Sequence, residues 1–239
     1  MKVDAVLTWE LDKAGAKARE LEQMGYAGLK SVETAHDPFL PLLMAAQTTE
    51  TIDLMTGIAV AFARSPMTLA NTAHDLNAAA KGRLTVGLGS QIRPHIMKRY
   101  SMPWSSPAAR MREFIMALRA IWANWYEGVP LEFLGKFYTH TLMTPFFTPT
   151  NSEYGPPKVY LAAVGPLMTE VAGKVVSPNR AASVKTSRSS TRFSPSPDGM
   201  RRKKKPRKRK CASRLRSTVQ PRLTRACWIR STLETCNQS

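Results

Sequence analysis

Apolar runs and segments with helical spacing alternate along the first 174 residues. The apolar runs cover residues 3–7, 27–32, 52–62, 84–88 and 159–164, and each is followed by a helical pattern. The run at 52–62 is mostly apolar, as expected for a strand that is buried on both faces. Strands that alternate with helices are typical of βαβ units, which build a parallel sheet. The pattern therefore predicts an α/β fold.

The ends of the predicted helices carry local signals. Asp37-Pro38 and Ser65-Pro66 each combine a capping side chain with a proline for the first helical position, and Gly25 suits the end of a helix over residues 11–24. The clearest helix follows Ser106-Pro107. Its apolar residues, three and four apart, predict a face packed against the sheet: Met111, Phe114, Ile115, Leu118, Ile121, Trp122 and Trp125.

Charge divides the chain into two parts. Residues 175–239 hold 18 of the 35 Lys and Arg residues but only two of the 17 Asp and Glu residues. Residues 1–174 are consequently almost neutral, as in an ordinary globular domain. High net charge with few aromatic residues predicts a disordered tail, rich in Arg, Lys and Ser, over residues 175–239.

Cysteine usage and hydropathy exclude several classes of protein. The three cysteines, Cys211, Cys227 and Cys236, all lie in the tail at irregular spacing, which favours neither a disulfide framework nor a zinc site. We expect no metal centre. The N-terminus lacks the pattern of a secretory signal, and no apolar run approaches the length of a membrane span. We expect a cytoplasmic protein without membrane contact.

Five local sequences carry a resemblance to a known family. In chain order they are ETAHDPFLPLLMAA, TGIAVAFARSPMTLA, KGRLTVGLGSQ, PAARMREFIMALRAIW and YLAAVGPLMTEVAG. With the order of the elements, they resemble the luciferase-like monooxygenase superfamily, above all its deazaflavin-dependent branch. The resemblance implies a TIM-type (β/α)8 barrel, of which residues 1–174 would form about five βα units. Such barrels build their sites from the loops at the carboxyl ends of the strands.

The resemblance also implies an activity. It indicates an oxidoreductase that uses the deazaflavin coenzyme F420, or alternatively FMN. The reaction would be hydride transfer with, or monooxygenation of, a small organic substrate. His36, just past the second strand, would lie near the reactive ring carbon and orient substrate or move a proton. The alternative for His36 is a helix-entry residue beside the Asp37 cap, and Glu33 is a weaker candidate for the same neighbourhood.

Three groups of residues are implied as cofactor contacts. Gly57 and Ile58 align with a non-prolyl cis peptide that forms a bulge under the ring, with an ordinary strand glycine as the alternative. Small residues at the end of the fourth strand, namely Gly87, Gly89 and Ser90, would let a ring or a phosphate approach the backbone. The helix start at Gly165, Pro166 and Leu167 would offer backbone N–H groups to a phosphate, or would be a simple capped turn.

The long connection over residues 126–157 is typical of a functional excursion. The family uses this region to cover its site. Aromatic residues there, in the segment Gly135-Lys136-Phe137-Tyr138 and at Tyr154, could cap a hydrophobic pocket.

The resemblance stops after Lys174. No sixth strand follows, and acidic residues nearly disappear at the same point. Our hypothesis is a frameshift near codon 174, which would leave family-like strands six to eight encoded in another reading frame. Five strands would leave two open sheet edges and an uncovered interior face, which predicts poor solubility or association, for example as a homo-oligomer, and a weak cofactor site.

A second function belongs to the tail. The run RRKKKPRKRK, residues 201–210, could neutralise phosphates and bind nucleic acid without sequence specificity and with steep salt dependence. The tail has few aromatic residues that could stack on bases, so we expect nothing beyond such nonspecific binding.

Overall fold

The structure is a computed structural model that describes residues 2–149 and 153–175. The predictions made for the basic tail, namely disorder, a frameshift origin and nucleic-acid binding, concern residues outside this described part of the chain from position 176 onward.

One parallel sheet organises the described residues. The strands, in chain order, are β1 (Asp4–Val6), β2 (Gly28–Ser31), β3 (Asp53–Thr56), β4 (Ala59–Val60), β5 (Leu84–Gly89), β6 (Phe133–Leu134), β7 (Thr139–His140) and β8 (Lys158–Leu161). Neighbouring strands in the sheet follow the order β1, β2, β3, β5. Strand β4 continues β3 and pairs with the same side of β5, and β8 pairs with the other side of β5. Strands β6 and β7 form a separate antiparallel pair.

The five α-helices each follow a strand position of the parallel sheet. They are α1 (Leu11–Gln23), α2 (Phe39–Thr48), α3 (Pro66–Ala79), α4 (Pro107–Glu127) and α5 (Pro166–Val175). The start signal of α3 is confirmed, because Ser65 Oγ accepts from Thr68 N at 3.1 Å and Pro66 is the first helical residue. α2 begins one residue later than predicted, with Pro38 as its N-cap, and Asp37 Oδ1 accepts from Phe39 N at 2.8 Å. Gly25 ends α1 with a φ of 83°. The predicted α/β class, with five βα units in the described residues, is confirmed.

The predicted apolar face of α4 is buried. Its seven residues are between 0% and 8% exposed and belong to one core cluster with the helix-facing residues of the strands, such as Leu54, Val86 and Leu88. The core therefore lies between the sheet and its helices.

The prediction of one continuous strand over residues 52–62 is wrong, because this range contains two strands and a 3-10 turn. The register runs from Met55 opposite Thr85 to Ala59 opposite Leu88, so β3 and β4 together contain one more residue than β5 over the same distance. This extra residue makes a β-bulge. It lies at Gly57–Ile58, which are joined by a cis peptide bond, and a 3-10 turn replaces the predicted strand from Ala61.

The predicted strand at 159–164 is shorter than expected. It begins one residue earlier, at Lys158, and ends at Leu161. The last bond to its neighbour runs from Ala162 N to Leu88 O at 2.9 Å, because β5 itself ends at Gly89.

The face of the sheet away from the helices is open. In-register partners of a parallel sheet project to the same face, and Gly87 pairs with Tyr160 just as Val6 pairs with Lys30. Val6 is 59% exposed and Tyr160 56% exposed. Within the described residues, β1 pairs only with β2 and β8 only with β5. Within the described residues, the interior side chains of these two outer strands are therefore exposed, and each strand has one unpaired edge. None of the helices in the described residues is both long and apolar enough to cross a membrane.

The packing of α4 gives a first testable prediction. Replacing the fully buried Phe114 with Ala should lower the free energy of unfolding by about 3–5 kcal/mol, since it removes a ring from the core and leaves a cavity. The matched control is Met116→Ala on the same helix, where the side chain is 39% exposed and the loss should be about 0.5 kcal/mol or less. Urea unfolding measures both. Equal losses would contradict the packing of this face.

Candidate functional site at the carboxyl edge of the sheet

Four of the segments predicted to form the site lie at one edge of the sheet. Because all strands of the sheet are parallel, their carboxyl ends meet at the same edge. His36 follows β2, the bulge at residues 57–58 interrupts the third strand position, Ser90 follows β5, and Gly165 follows β8. The structure therefore places these four segments at the same edge, which we call the carboxyl edge.

The bulge rests directly on two glycines of β5. A Cβ atom at Gly87 would lie 2.1 Å from the carbonyl oxygen of Thr56, and one at Gly89 would lie 2.8 Å from Ile58 Cδ1. Thr56 Oγ1 donates to Gly87 O at 2.8 Å and accepts from Gly87 N at 2.9 Å. The space that the sequence analysis reserved for a ring or a phosphate beside these glycines is filled by the bulge. They can therefore support a cofactor only by supporting Gly57 and Ile58.

Glu33 lies buried beside the bulge and accepts three hydrogen bonds. Its side chain is 6% exposed. Oε2 accepts from Val60 N and from Arg64 Nη1, both at 2.7 Å, and Oε1 accepts from Tyr100 Oη at 3.1 Å. Arg64 Nη2 also donates to Asp37 Oδ2 at 3.1 Å. A carboxylate with this set of donors is well stabilised in a buried position.

Glu33 affects the pKa of both side chains that donate to it. Burial alone would lower the pKa of Arg64, but the hydrogen bond and charge of Glu33, with Asp37, outweigh it and raise that pKa. Burial raises the pKa of Tyr100, and the negative charge of Glu33 raises it further. Both shifts keep Arg64 cationic and the Tyr100 hydroxyl neutral near neutral pH. We call these three side chains, Glu33, Arg64 and Tyr100, the Glu33 group.

The loop after β5 is attached to the loop that carries His36. It contains a π-helical turn over His95–Arg99. Arg99 Nη2 donates to Thr34 O, and Tyr100 donates to Glu33 as described. Two adjacent side chains therefore hold the two loops together at the carboxyl edge.

His36 is exposed and stacks on Trp9. The two rings lie 4.4 Å apart at an angle of 4°. Trp9 follows β1 and is 58% exposed. The hydrogen bond that caps α2 comes from Asp37, so His36 itself is not needed for the helix start. Sequence reasoning missed Trp9, although a tryptophan directly after the first strand of a barrel was a usable signal.

Ser90 and the start of α5 complete the carboxyl edge. Ser90 is half-buried and its Oγ donates to Gln91 O at 3.2 Å. The backbone turns at Gly165 with a φ of 83°, and Gly165 O accepts from Thr169 N at 3.1 Å. Pro166 has no N–H, so the amides of Leu167 and Met168 are first-turn donors that precede the helix's own bonds. Leu167 is 70% exposed.

These residues fit a flat ring that carries a phosphate. No atom lies within 4 Å of a Cβ built on Gly165, so a ligand can approach the start of α5. The first-turn amides and the helix dipole attract an anion there. The exposed Trp9–His36 stack offers aromatic surface on another loop of the carboxyl edge.

The two aromatic residues of the long connection that we singled out, Tyr138 and Tyr154, lie in different places. Tyr138 accepts a hydrogen bond from Arg110 Nε at 2.9 Å and packs edge-on against Phe114 of α4. Tyr154 packs over Gly82, just before β5 begins, so it lies at the amino end of the sheet. The reason is that residues 153–157 must return to the amino end to start β8. Among the described residues, no cluster of three or more His, Cys, Asp or Glu side chains could hold a metal ion.

Comparison with known proteins gives a consistent result. An uncharacterized protein of Mycobacterium tuberculosis is 54% identical over 175 residues, which are 73% of this chain and 52% of that protein. The chain thus spans about half the length of the curated relatives it matches.

Solved structures agree on the fold. The F420-dependent tetrahydromethanopterin reductase of Methanopyrus kandleri superposes with a TM-score of 0.59 at 19% identity, over 74% of this chain and 53% of that chain. The oxygenating constituent of 3,6-diketocamphane monooxygenase from Pseudomonas putida, in complex with FMN, superposes with a TM-score of 0.56 at 16% identity, over 67% of this chain and 51% of that chain.

The family model of luciferase-like monooxygenases matches residues 5–191, which is most of the chain. This match covers all five βα units of the described residues. The chain belongs to the luciferase-like monooxygenase family.

Proposed function

We propose that this chain is an oxidoreductase domain that binds coenzyme F420, or alternatively FMN, across the carboxyl edge and acts on a small organic substrate. The observation that carries the proposal is the bulge at Gly57–Ile58, supported from below by Gly87 and Gly89 and held at the same edge as the exposed Trp9–His36 stack. Two structural neighbours, one an F420-dependent reductase and one solved in complex with FMN, support this choice of cofactors.

We assign most of the residues at the carboxyl edge to cofactor binding and one of them to proton transfer. When bound, the deazaflavin or flavin ring supplies the redox chemistry, which is hydride transfer or, with FMN and oxygen, monooxygenation. Gly57 and Ile58 give the ring a surface to lie on. Ser90 offers a hydroxyl, and the amides of Leu167 and Met168 bind the phosphate.

We assign proton transfer to or from the substrate to His36. A substrate that exchanges a hydride at carbon must gain or lose a proton at oxygen, and an imidazole is suited to both directions near neutral pH. Its ring is exposed, so either ring nitrogen can reach a bound molecule. The stacked indole of Trp9 fixes the plane of the imidazole and excludes water from one of its faces.

The phosphate contact can be tested with a single carboxylate. Leu167→Asp should weaken binding of F420 and FMN about fivefold, because an acidic side chain competes with the phosphate at the start of α5. Titration followed by cofactor fluorescence measures the dissociation constants. Leu167→Asn is the control, because its side chain has the shape of Asp without the charge, and it should bind both cofactors like the wild type. An acidic residue in the first turn stabilises the helix, so the Tm of Leu167→Asp should be no lower than that of the wild type. Identical affinities for all three proteins would refute the contact.

The assignment of His36 predicts a loss of rate without a loss of cofactor. With reduced F420 and a panel of small ketones, or oxidised F420 and secondary alcohols, His36→Ala should lower the turnover of any substrate accepted by the wild type about 10²–10⁴-fold. Its cofactor affinity should stay unchanged.

His95→Ala is the control, since that histidine is also exposed and lies on the neighbouring loop. Cofactor fluorescence or absorbance follows the reaction. A wild-type protein that binds neither F420 nor FMN would overturn the proposed function itself, whereas an active His36→Ala variant would overturn only the role of His36.

A further inference from the structure

The Glu33 carboxylate is bonded to three separate segments of the carboxyl edge. Val60 is the second residue after the bulge, Arg64 precedes α3, and Tyr100 closes the π-helical turn after β5. In addition, Glu33 N donates to the carbonyl oxygen of Ile58 at 3.4 Å. Glu33 therefore contacts the chain on both sides of Ala59, directly after the cis peptide bond.

Burial makes Glu33 unsuitable as a substrate contact. With 6% of its side chain exposed and both carboxylate oxygens engaged by donors, it has little surface to offer a ligand. A buried carboxylate is costly to desolvate and persists only with strong partners. Its role must be sought in the segments that it joins.

We infer that Glu33 is a positioning residue that holds the bulge at residues 57–58 and the loop after β5 in the arrangement that the proposed cofactor site requires. The inference rests on the proposed function for the ligand, but its structural part does not need a ligand. From the sequence, Glu33 was a weaker candidate for the same neighbourhood as His36, and its burial argues against direct contact with a ligand.

The charge of Glu33 is central to this role. Arg64 is 18% exposed and points one guanidinium nitrogen at Glu33 and the other at Asp37. Removing only the negative charge of Glu33 leaves a mostly buried cation with a single, more exposed partner. Removing both charges leaves no such unpaired group, which is usually far less harmful.

The closing experiment compares amide hydrogen exchange in the full-length protein and in four variants. Glu33→Gln should accelerate exchange at least about tenfold in the segments 57–63 and 95–102, because it breaks a charge-assisted pair. Tyr100→Phe removes one hydroxyl and should accelerate exchange in 95–102 alone, and it remains informative if Glu33→Gln fails to fold. The double variant Glu33→Gln with Arg64→Met should recover part of the protection in 57–63, a rescue that a purely space-filling role would not give.

The matched control acts at the opposite end of the sheet. Asn77 is 2% exposed; its Oδ1 accepts from Leu84 N and its Nδ2 donates to Gly155 O. Asn77→Ala should destabilise the protein without faster exchange in 57–63 or 95–102. Unchanged exchange in Glu33→Gln, or equal acceleration in Asn77→Ala, would overturn the inference.

Cofactor titration of the same proteins separates this inference from the proposed function. We expect F420 or FMN to bind about tenfold more weakly to Glu33→Gln than to the wild type or to Asn77→Ala. Faster exchange in a protein whose wild type binds neither cofactor would overturn the proposed function and support the positioning of the loops. Full affinity in Glu33→Gln despite faster exchange would overturn the link between Glu33 and the cofactor site.

Discussion

The carboxyl edge depends on the close approach of the Thr56 carbonyl to β5. The oxygen lies where any side chain at position 87 would have to begin, so only glycine permits this contact. The approach also lets the Thr56 hydroxyl bond both the N–H and the carbonyl of Gly87. With β3 fixed against β5 in this way, the extra residue of the bulge is directed to the carboxyl edge. Ile58 then fills the space beside Gly89, and the strand resumes one residue out of step.

A second support acts on the bulge from the other side. The glycines of β5 define its position by shape, whereas Glu33 fixes it by charge, through one backbone N–H and two side chains from other loops. Shape alone would allow the loops around the bulge to move independently. A buried carboxylate with partners on three segments couples them, because moving one segment away leaves the charge with fewer donors. The two supports together make this half of the carboxyl edge the better determined one.

Much of this fold follows from the sequence because local signals specify it. The Ser65-Pro66 start of α3, the glycine at the end of α1 and the apolar face of α4 each depend on residues within one element, and each is confirmed. The resemblance also implied the cis peptide at Gly57–Ile58, which the structure contains.

Contacts between distant residues were beyond the sequence. The stack of Trp9 on His36 joins the first two loops of the carboxyl edge, and periodicity carries no information about it. Tyr154 was expected near a pocket because it is aromatic and lies in a long connection. Its location at the amino end follows instead from the path that the chain takes to start β8. Glu33 looked like a candidate for substrate because a carboxylate at a strand end is usually solvated, and only its three donors explain its burial.

The two ends of the proposed cofactor site are held with unequal strength. The ring end lies on the bulge, between β5 and the Glu33 group, where few side chains can move without losing a buried contact. The phosphate end lies beside Val164, which is 91% exposed, and Leu167, which is 70% exposed. A ligand that spans both ends would bind a preorganised surface at the bulge. At the start of α5 it would have to order exposed chain, and this ordering costs free energy that a rigid site avoids. We therefore expect β3, β4 and β5 to determine which ring shape can bind, and the start of α5 to add affinity through its attraction for the phosphate.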